Sequence, residues 1–485
     1  MSTTTEIVAL GALELSRAIH ARDYACTEVM QAYLAHIERC NPAVNALVGL
    51  LPGEALLAQA QQYDQELARG HSRGWMHGMP QAIKDLAATA GHVTSQGSPL
   101  FSGQASPHDA ISVGRVRASG AIVIGRSNVP EFGLGSHTYN RVYGTTGNAY
   151  APHLSAGGSS GGAAVALALR MLPVADGSDM MGSLRNPAGF NNVFGFRPSQ
   201  GRVPYGPAAE LFAQQLATEG PMGRSVVDLA RLLQTQAGYD PRAPLALNED
   251  PAYLGQPLAR DFTGVRLGWL GDYNGYLAME PGIISGCEAA LGDFRQLGCE
   301  VEACQPDYPM DALWDCWRVL RHWLVQGSLG ALYADPAQRA QLKPEAQWEV
   351  EGGLGLTAAQ VYQASKARSD WYRALLKLFE RFDYLLLPTA QVFPFDASSA
   401  WPKRIAGRAM DTYHRWMEVV IGPTLAGLPA LSVPVGFGAQ GLPLGMQIIG
   451  RPQADLAVLQ LGYAHERLTQ WVGRRVPGEW GGVGG

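Results

Sequence analysis

Apolar residues recur at helical spacing over residues 7–21, through Leu10, Leu13, Leu15 and Ile19, and again over 27–39, through Val29, Met30, Tyr33, Leu34 and Ile37. That period places them on one face, so two amphipathic helices open the chain. Asn41-Pro42 is expected to stop the second. A third helix, rich in Ala and Gln, is predicted over 54–69, with Gly70 as its cap. Then the pattern changes. Gln81-Ala-Ile83 reads as a short strand with Lys84 at or near its end, 110–119 as a helix, 121–124 as a buried strand, and 125–134 as a loop or short helix. Strand–helix–strand order argues for a mainly parallel sheet covered by helices. Ligands in such sheets bind off the carboxyl ends of the strands. The run 163–169 has no polar face and reads as a short buried helix.

Further on, the pattern predicts helices over 221–236, 281–297 and 456–468, and strands over 265–270, 299–303, 384–387 and 444–450. Residues 240–261 lack periodicity and read as a surface connection, 311–380 as mostly helical, and 423–435 as an apolar segment punctuated by Gly and Pro. No internal repeat is found. The 485 residues, 47% hydrophobic and 16% charged, support a large core. A net charge of −5 gives no footprint for nucleic acid. No charge-free apolar run reaches the roughly 18 residues of a membrane span, and the start has no signal-peptide pattern. The six cysteines form no CxxC pair and no zinc-ligand spacing with histidine. They read as reduced structural thiols in a cytoplasmic protein. No metal and no cofactor are expected.

The candidate chemistry lies in two serine clusters flanking the buried helix, Ser155-Ala-Gly-Gly-Ser-Ser-Gly-Gly162 and Gly177-Ser-Asp-Met-Met-Gly-Ser-Leu-Arg-Asn-Pro-Ala188. A glycine-rich turn feeding a helix N-terminus leaves N–H groups free and points a positive dipole end at what binds, which suits an anion or oxyanion. A Gly-Ser octet alone is more often a loop than a nucleophile. A nucleophile elbow needs a strand before it, and residues 148–155 make a poor one. A phosphate-binding loop needs a lysine after the glycines, where Ala163 stands. None of the 11 histidines is set to activate a serine. A lysine serves as base when burial lowers its pKa. Lys84, in an apolar stretch, is the only lysine before Lys343. The bland alternative pairs it with Asp85 or leaves it at the surface.

These segments resemble the amidase signature family. Ser159 and Ser183 stand 24 positions apart, the family's spacing. Pro80-Gln-Ala-Ile-Lys-Asp85 resembles its lysine motif and Arg126-Ser-Asn-Val-Pro-Glu-Phe-Gly133 its strand-and-loop segment. Leu425-Ala-Gly-Leu-Pro-Ala-Leu-Ser-Val-Pro434 and Gly441-Leu-Pro-Leu-Gly-Met-Gln-Ile-Ile-Gly450 resemble its C-terminal segments. The likeness spans nearly the whole chain and is weakest over 240–383. It implies one α/β domain over 1–485, a central, mostly parallel mixed sheet covered by helices on both faces. The catalytic core would span about 72–237, a variable helical substrate-side region about 305–382, and a C-terminal part completing the sheet about 383–470.

The resemblance also implies roles. Ser183 would be the nucleophile and Ser159 the bridging serine behind a cis peptide to Gly158. Lys84 would be the base, and the N–H groups of Met180, Met181, Gly182 and Ser183 the oxyanion hole. Gly133 falls where the family contacts substrate, and Asp179 with Arg185 would form a structural pair. The family has Gly where Met181 stands; either Met181 is strained at positive φ or it lines the acyl pocket, and the second is favoured. Gly147-Asn-Ala-Tyr departs from the usual Asn-Pro-Trp and loosens a turn. The expected function is hydrolysis of a small carboxylic amide, apolar or aryl, with esters and carbamates as further substrates, by a monomer or homodimer. Met180, Met181, Phe132, Tyr139 and the Trp-bearing helices point that way, although core packing is the commoner role of each. The alternatives are the amidase subunit of a tRNA-dependent glutamine amidotransferase and a catalytically impaired amide-binding member.

Overall fold

The computed structural model describes residues 3–478. Its strands, in chain order, are β1 (Leu47–Val48), β2 (Pro80–Lys84), β3 (Ile122–Ser127), β4 (Tyr139–Asn140), β5 (Gly144–Thr145), β6 (Val174–Asp179), β7 (Phe194–Arg197), β8 (Thr218–Gly223), β9 (Arg266–Trp269), β10 (Glu300–Ala303), β11 (Tyr384–Pro388), β12 (Arg404–Ile405), β13 (Arg408–Ala409), β14 (Ala430–Phe437) and β15 (Pro443–Gly450). Among the described residues they form a large sheet ordered β10-β9-β11-β15-β14-β7-β8-β6, a small one ordered β1-β3-β2, and two two-stranded pairs.

The mixed sheet between helices is as the family resemblance implies, with one correction: it is mostly antiparallel, not mostly parallel. In the large sheet β9 is parallel to β10 and β11, while every join from β11 across to β6 is antiparallel. The strand–helix–strand unit that suggested a parallel sheet is real, since β2 and β3 are parallel, but it belongs to the small sheet. The edges of the two sheets, β2 and β6, face each other without a backbone ladder. The carboxylate of Asp176 in β6 fills the seam by accepting the Lys84 N–H at 3.1 and 3.3 Å.

Several helix boundaries move for physical reasons. The first predicted helix is broken into Thr3–Ala9 and Ala12–Ala21. Gly11 is extended and has no side chain to cap the second piece; Asp228 caps it from afar, accepting from Ala12 N (3.0 Å) and Leu13 N (2.9 Å). The second helix, Cys26–Val44, runs through Pro42. A proline so near the end forfeits little of the ladder, and Asn41 then binds the N–H groups of Ala46 and Leu47 (2.9 and 2.8 Å). The helix predicted from 221 starts at Val226 instead, because Pro221-Met-Gly223 belongs to β8 and Ser225 caps Val226–Gln236. The strands β6 and β7 were not legible: β6 ends in Asp-Gly-Ser-Asp, poor strand formers held by pairing with β8.

The helix Gly161–Ala168 is buried throughout, as its apolar pattern requires. Gly162 touches backbone there: a Cβ would lie 2.4 Å from Asn128 N and 2.6 Å from Ala46 O. The helices Met310–Ala334, Pro344–Leu354 and Ala358–Arg381 make up the predicted helical region. Beneath them Trp317, Trp371 and Trp416 are fully buried. All six cysteines are free. No helix of the described residues is long and apolar enough to cross a membrane.

Candidate active site

Lys84 ends β2. The next residue, Asp85, donates its N–H to Ser127 O in β3 (3.2 Å), so the Lys84 N–H points to the opposite edge and meets Asp176. The side chain is 1% exposed. Its Nζ lies 2.7 Å from Ser159 Oγ, 2.7 Å from Ser160 Oγ, 2.9 Å from Ser178 Oγ and 3.2 Å from Ser178 O. Hydroxyls donate or accept, so this shell suits both the ammonium and the neutral amine. Asp85 is not the partner of Lys84: it bonds Arg126 (3.1 Å) and Ser95. Burial therefore decides the charge of Lys84. It draws the pKa down to about 7, opposed by Asp176, Asp179 and Glu219. Burial also raises the Asp176 carboxyl above its usual range and lifts Glu219 to about 7.

Ser159 precedes the helix Gly161–Ala168, and its N–H donates to Ser183 Oγ at 3.1 Å. Ser183 follows the loop that leaves β6 and leads into the helix Arg185–Asn191. Asp179 shapes that loop. It accepts from Gly182 N (2.9 Å) and Leu184 N (3.2 Å), and pairs with Arg185 (2.9 Å) and Arg197 (3.3 Å), all of these side chains fully buried. Burial raises the carboxyl pKa, but the two guanidinium groups prevail and hold it well below the usual range.

Ser183, Ser159 and Lys84 line a cavity of about 740 Å³ with Gly133, Met180 and Met181. Phe132 and Leu134 form one wall; Leu324, Val325 and Leu329 of the helix Met310–Ala334 form another. Asp176, Ser178 and Glu219 line the side behind Lys84. Among the described residues no group of three or more His, Cys, Asp or Glu is placed to hold a metal ion.

The sequence model of the family described as Amidase matches residues 28–459. The chain belongs to the amidase family. Its fold is the amidase signature fold, and it is an enzyme of carbon–nitrogen bond hydrolysis outside peptide bonds. It is 34% identical to the A-subunit of the glutamyl-tRNA(Gln) amidotransferase of Methylococcus capsulatus, over 94% of this chain and 96% of that one. Its structure is similar to that of a bacterial aryl acylamidase of the amidase signature family, with a TM-score of 0.88 and 27% identity over 95% of this chain and 96% of the other. It is also similar to the corresponding glutamyl-tRNA(Gln) amidotransferase subunit of Thermotoga maritima, with a TM-score of 0.73 and 26% identity over 96% and 94% of the two chains.

In this amidase two expectations change, and the favoured reading of Met181 holds. The only cis peptide among the described residues joins Gly206 to Pro207; the one expected between Gly158 and Ser159 is absent, and Gly158 instead takes a φ of +41°. Gly182 does not offer its N–H to the cavity, because Asp179 takes it; the N–H groups of Met180, Met181 and Ser183 make no hydrogen bond among the described residues. Gly182, not Met181, adopts the left-handed conformation (φ +78°), so the methionine is unstrained and lines the cavity. Tyr139 turns away to bond Glu345 at 2.5 Å, and of the tryptophans predicted near the site only Trp323 lines it. Sequence reasoning missed Asp176, gave Ser178 no role within its cluster, and missed Glu219 and Arg321. The first two alternate along β6 on one face, and Glu219 stands opposite Ser178; the signal was there once β6 was recognised as a strand.

Proposed function

We propose that this amidase hydrolyses small carboxylic amides, apolar or aryl, through an acyl-enzyme on Ser183. The observation that carries the proposal is a buried amine with a pKa near neutrality bonded to Ser159 Oγ at 2.7 Å, while the Ser159 N–H holds Ser183 Oγ at 3.1 Å. With Lys84 neutral, the Ser183 proton passes to Ser159, whose own proton passes to Lys84, and Ser183 Oγ attacks the carbonyl carbon. The relay runs back to protonate the departing amine, and water then cleaves the acyl-enzyme. The oxyanion is held by the unbonded N–H groups of Met180, Met181 and Ser183; losing one such donor typically costs about 2.7–4 kcal/mol. The core around 72–237 supplies the reacting groups and the helical region around 305–382 the substrate wall, as one domain. The apolar lining and the likeness to an aryl acylamidase support an apolar or aryl substrate, with aryl esters and carbamates reacting by the same route.

A second reading, the amidase subunit of a tRNA-dependent amidotransferase, is favoured by the 34% identity to the Methylococcus capsulatus amidotransferase subunit. The methionine-lined cavity argues for the stand-alone enzyme. Fluorophosphonate treatment, with Ser183→Ala as control, tests the proposal. Labelling at Ser183 alone, with anilide turnover by the isolated chain, is the expected result. Absence of labelling by both a fluorophosphonate and a smaller sulfonyl fluoride would reject it in favour of an impaired, binding-only site. Labelling with glutaminase activity that appears only with partner subunits would favour the second reading.

A further inference from the structure

Arg321, on the helix Met310–Ala334, lines the cavity yet is only 3% exposed. Two of its three nitrogens have a strong acceptor. Nε donates to Glu349 Oε1, and Nη2 donates to the Tyr413 hydroxyl (2.7 Å), which itself donates to Glu349 Oε1. Nη1 has two N–H bonds and one neighbour, the Met180 thioether at 3.6 Å. Sulfur is a weak acceptor, and a buried donor without a strong one is costly. Met180 stands three residues before Ser183 on the same loop. The unfilled donor therefore opens beside the place where a substrate must lie for attack by Ser183. Met181 and Met417 line the cavity as well, and neither of their side chains offers a hydrogen-bond donor.

Charge selects the class of acceptor. Glu349 already neutralises the guanidinium, and Tyr413 adds none. A carboxylate ligand would bring a second negative charge to a wall already carrying Glu349, with its desolvation uncompensated. A carbonyl or ether oxygen would take the Nη1 hydrogen bonds at no such cost. We propose that Arg321 is a specificity-determining residue whose Nη1 selects amides carrying a neutral hydrogen-bond acceptor, a carbonyl, carbamate or ether oxygen, near the scissile bond. This rests on the Ser183 reading and adds the substrate class to it.

The test uses unsubstituted anilides and N-alkyl amides of equal chain length, with aniline or amine release measured. One ether or carbonyl oxygen is moved through the chain, on the acyl or the amine side; controls carry methylene or a terminal carboxylate. In the wild type one oxygen position should raise kcat/KM about 10- to 100-fold over the methylene isostere, and above the carboxylate. In Arg321→Met/Glu349→Gln, which removes both buried charges together, that ratio should fall towards one. Arg321→Lys keeps the charge but lacks the fork, and its ratio should fall as well, which keeps the test open if the double variant does not fold. No acceptor preference at any position, a preference that survives in the variants, or a stronger preference for carboxylate would overturn the proposal. Fluorophosphonate labelling of the wild type reads the parent proposal separately: an unlabelled Ser183 with the acceptor preference intact would sink the acyl-enzyme and leave the role of Arg321 standing.

Discussion

Asp176 and Asp179 lie three residues apart on β6, both buried, and have opposite fates. Asp179 meets two arginines and two backbone N–H groups, which outweigh the cost of burying a charge. Its charge is permanent, and it fixes the turn that presents Ser183. Asp176 accepts one backbone N–H and has Arg126 and the Lys84 amine only at a distance, with no guanidinium bonded to it, and burial pushes its pKa up. It lies beside Glu219 and Lys84, whose pKa values both fall at about 7. The difference teaches that burial alone does not set the role of a carboxylate. Cations bonded directly to it decide whether its charge is held, as in Asp179, or disfavoured, as in Asp176.

The largest test of that contrast removes the labile side. Lys84→Ala or Ser183→Ala should lower kcat by about 10³-fold or more, measured as anilide turnover; near-wild-type turnover in either would refute its assigned role. Next comes the fixed side. Asp179→Asn leaves Arg185 and Arg197 without their anion and should cost about 3–5 kcal/mol, read from denaturant unfolding. A loss under 1 kcal/mol would mean that the pair is not what holds the loop.

Lys84 can be tested through stability as well. Its folded pKa, about 7, lies below that of an unfolded lysine, so the unfolded chain binds the extra proton between pH 7 and pH 10. Lys84→Met should therefore be more stable than the wild type at pH 7, with a gap that narrows as pH rises towards 10. A gap independent of pH would show that the amine titrates normally. A smaller effect is expected from Glu219→Gln. Because Glu219 opposes the lowering of the Lys84 pKa, its loss should move the midpoint of the rising limb of the pH–rate profile to lower pH, by about a unit or less; a shift upward would contradict the coupling. The smallest belongs to Met181→Gly. Since Met181 carries no left-handed strain, the change relieves nothing, and the labelling rate should stay within about threefold.

The sequence was most legible where chemistry needs particular residues at particular spacing. Lys84, Ser159 and Ser183 converge as their motifs imply, although they are far apart in the chain and on different elements. Helices with a clear apolar face were legible to within a few residues. What stayed hidden depended on partners remote in sequence. The break at Gly11 is stabilised by Asp228, and β6 is a strand only because β8 lies beside it. The occupied Gly182 N–H and the open Nη1 of Arg321 are likewise products of packing, not of local pattern.

The seam between β2 and β6 has a further mechanical meaning. Because no ladder crosses it, the separation of the lysine-bearing sheet from the serine-bearing one is gauged by side chains alone, Asp176 on the Lys84 N–H and the Lys84 amine on Ser178. Backbone ladders resist sliding over their whole length, whereas a seam held by two side chains transmits changes in the reach of either. A misplacement of about 1 Å can cost an enzyme about 100-fold in rate. One methylene at this position, as in Asp176→Glu, would thus act as a wedge, opening the amine from its hydroxyls while leaving every reacting group in the chain intact.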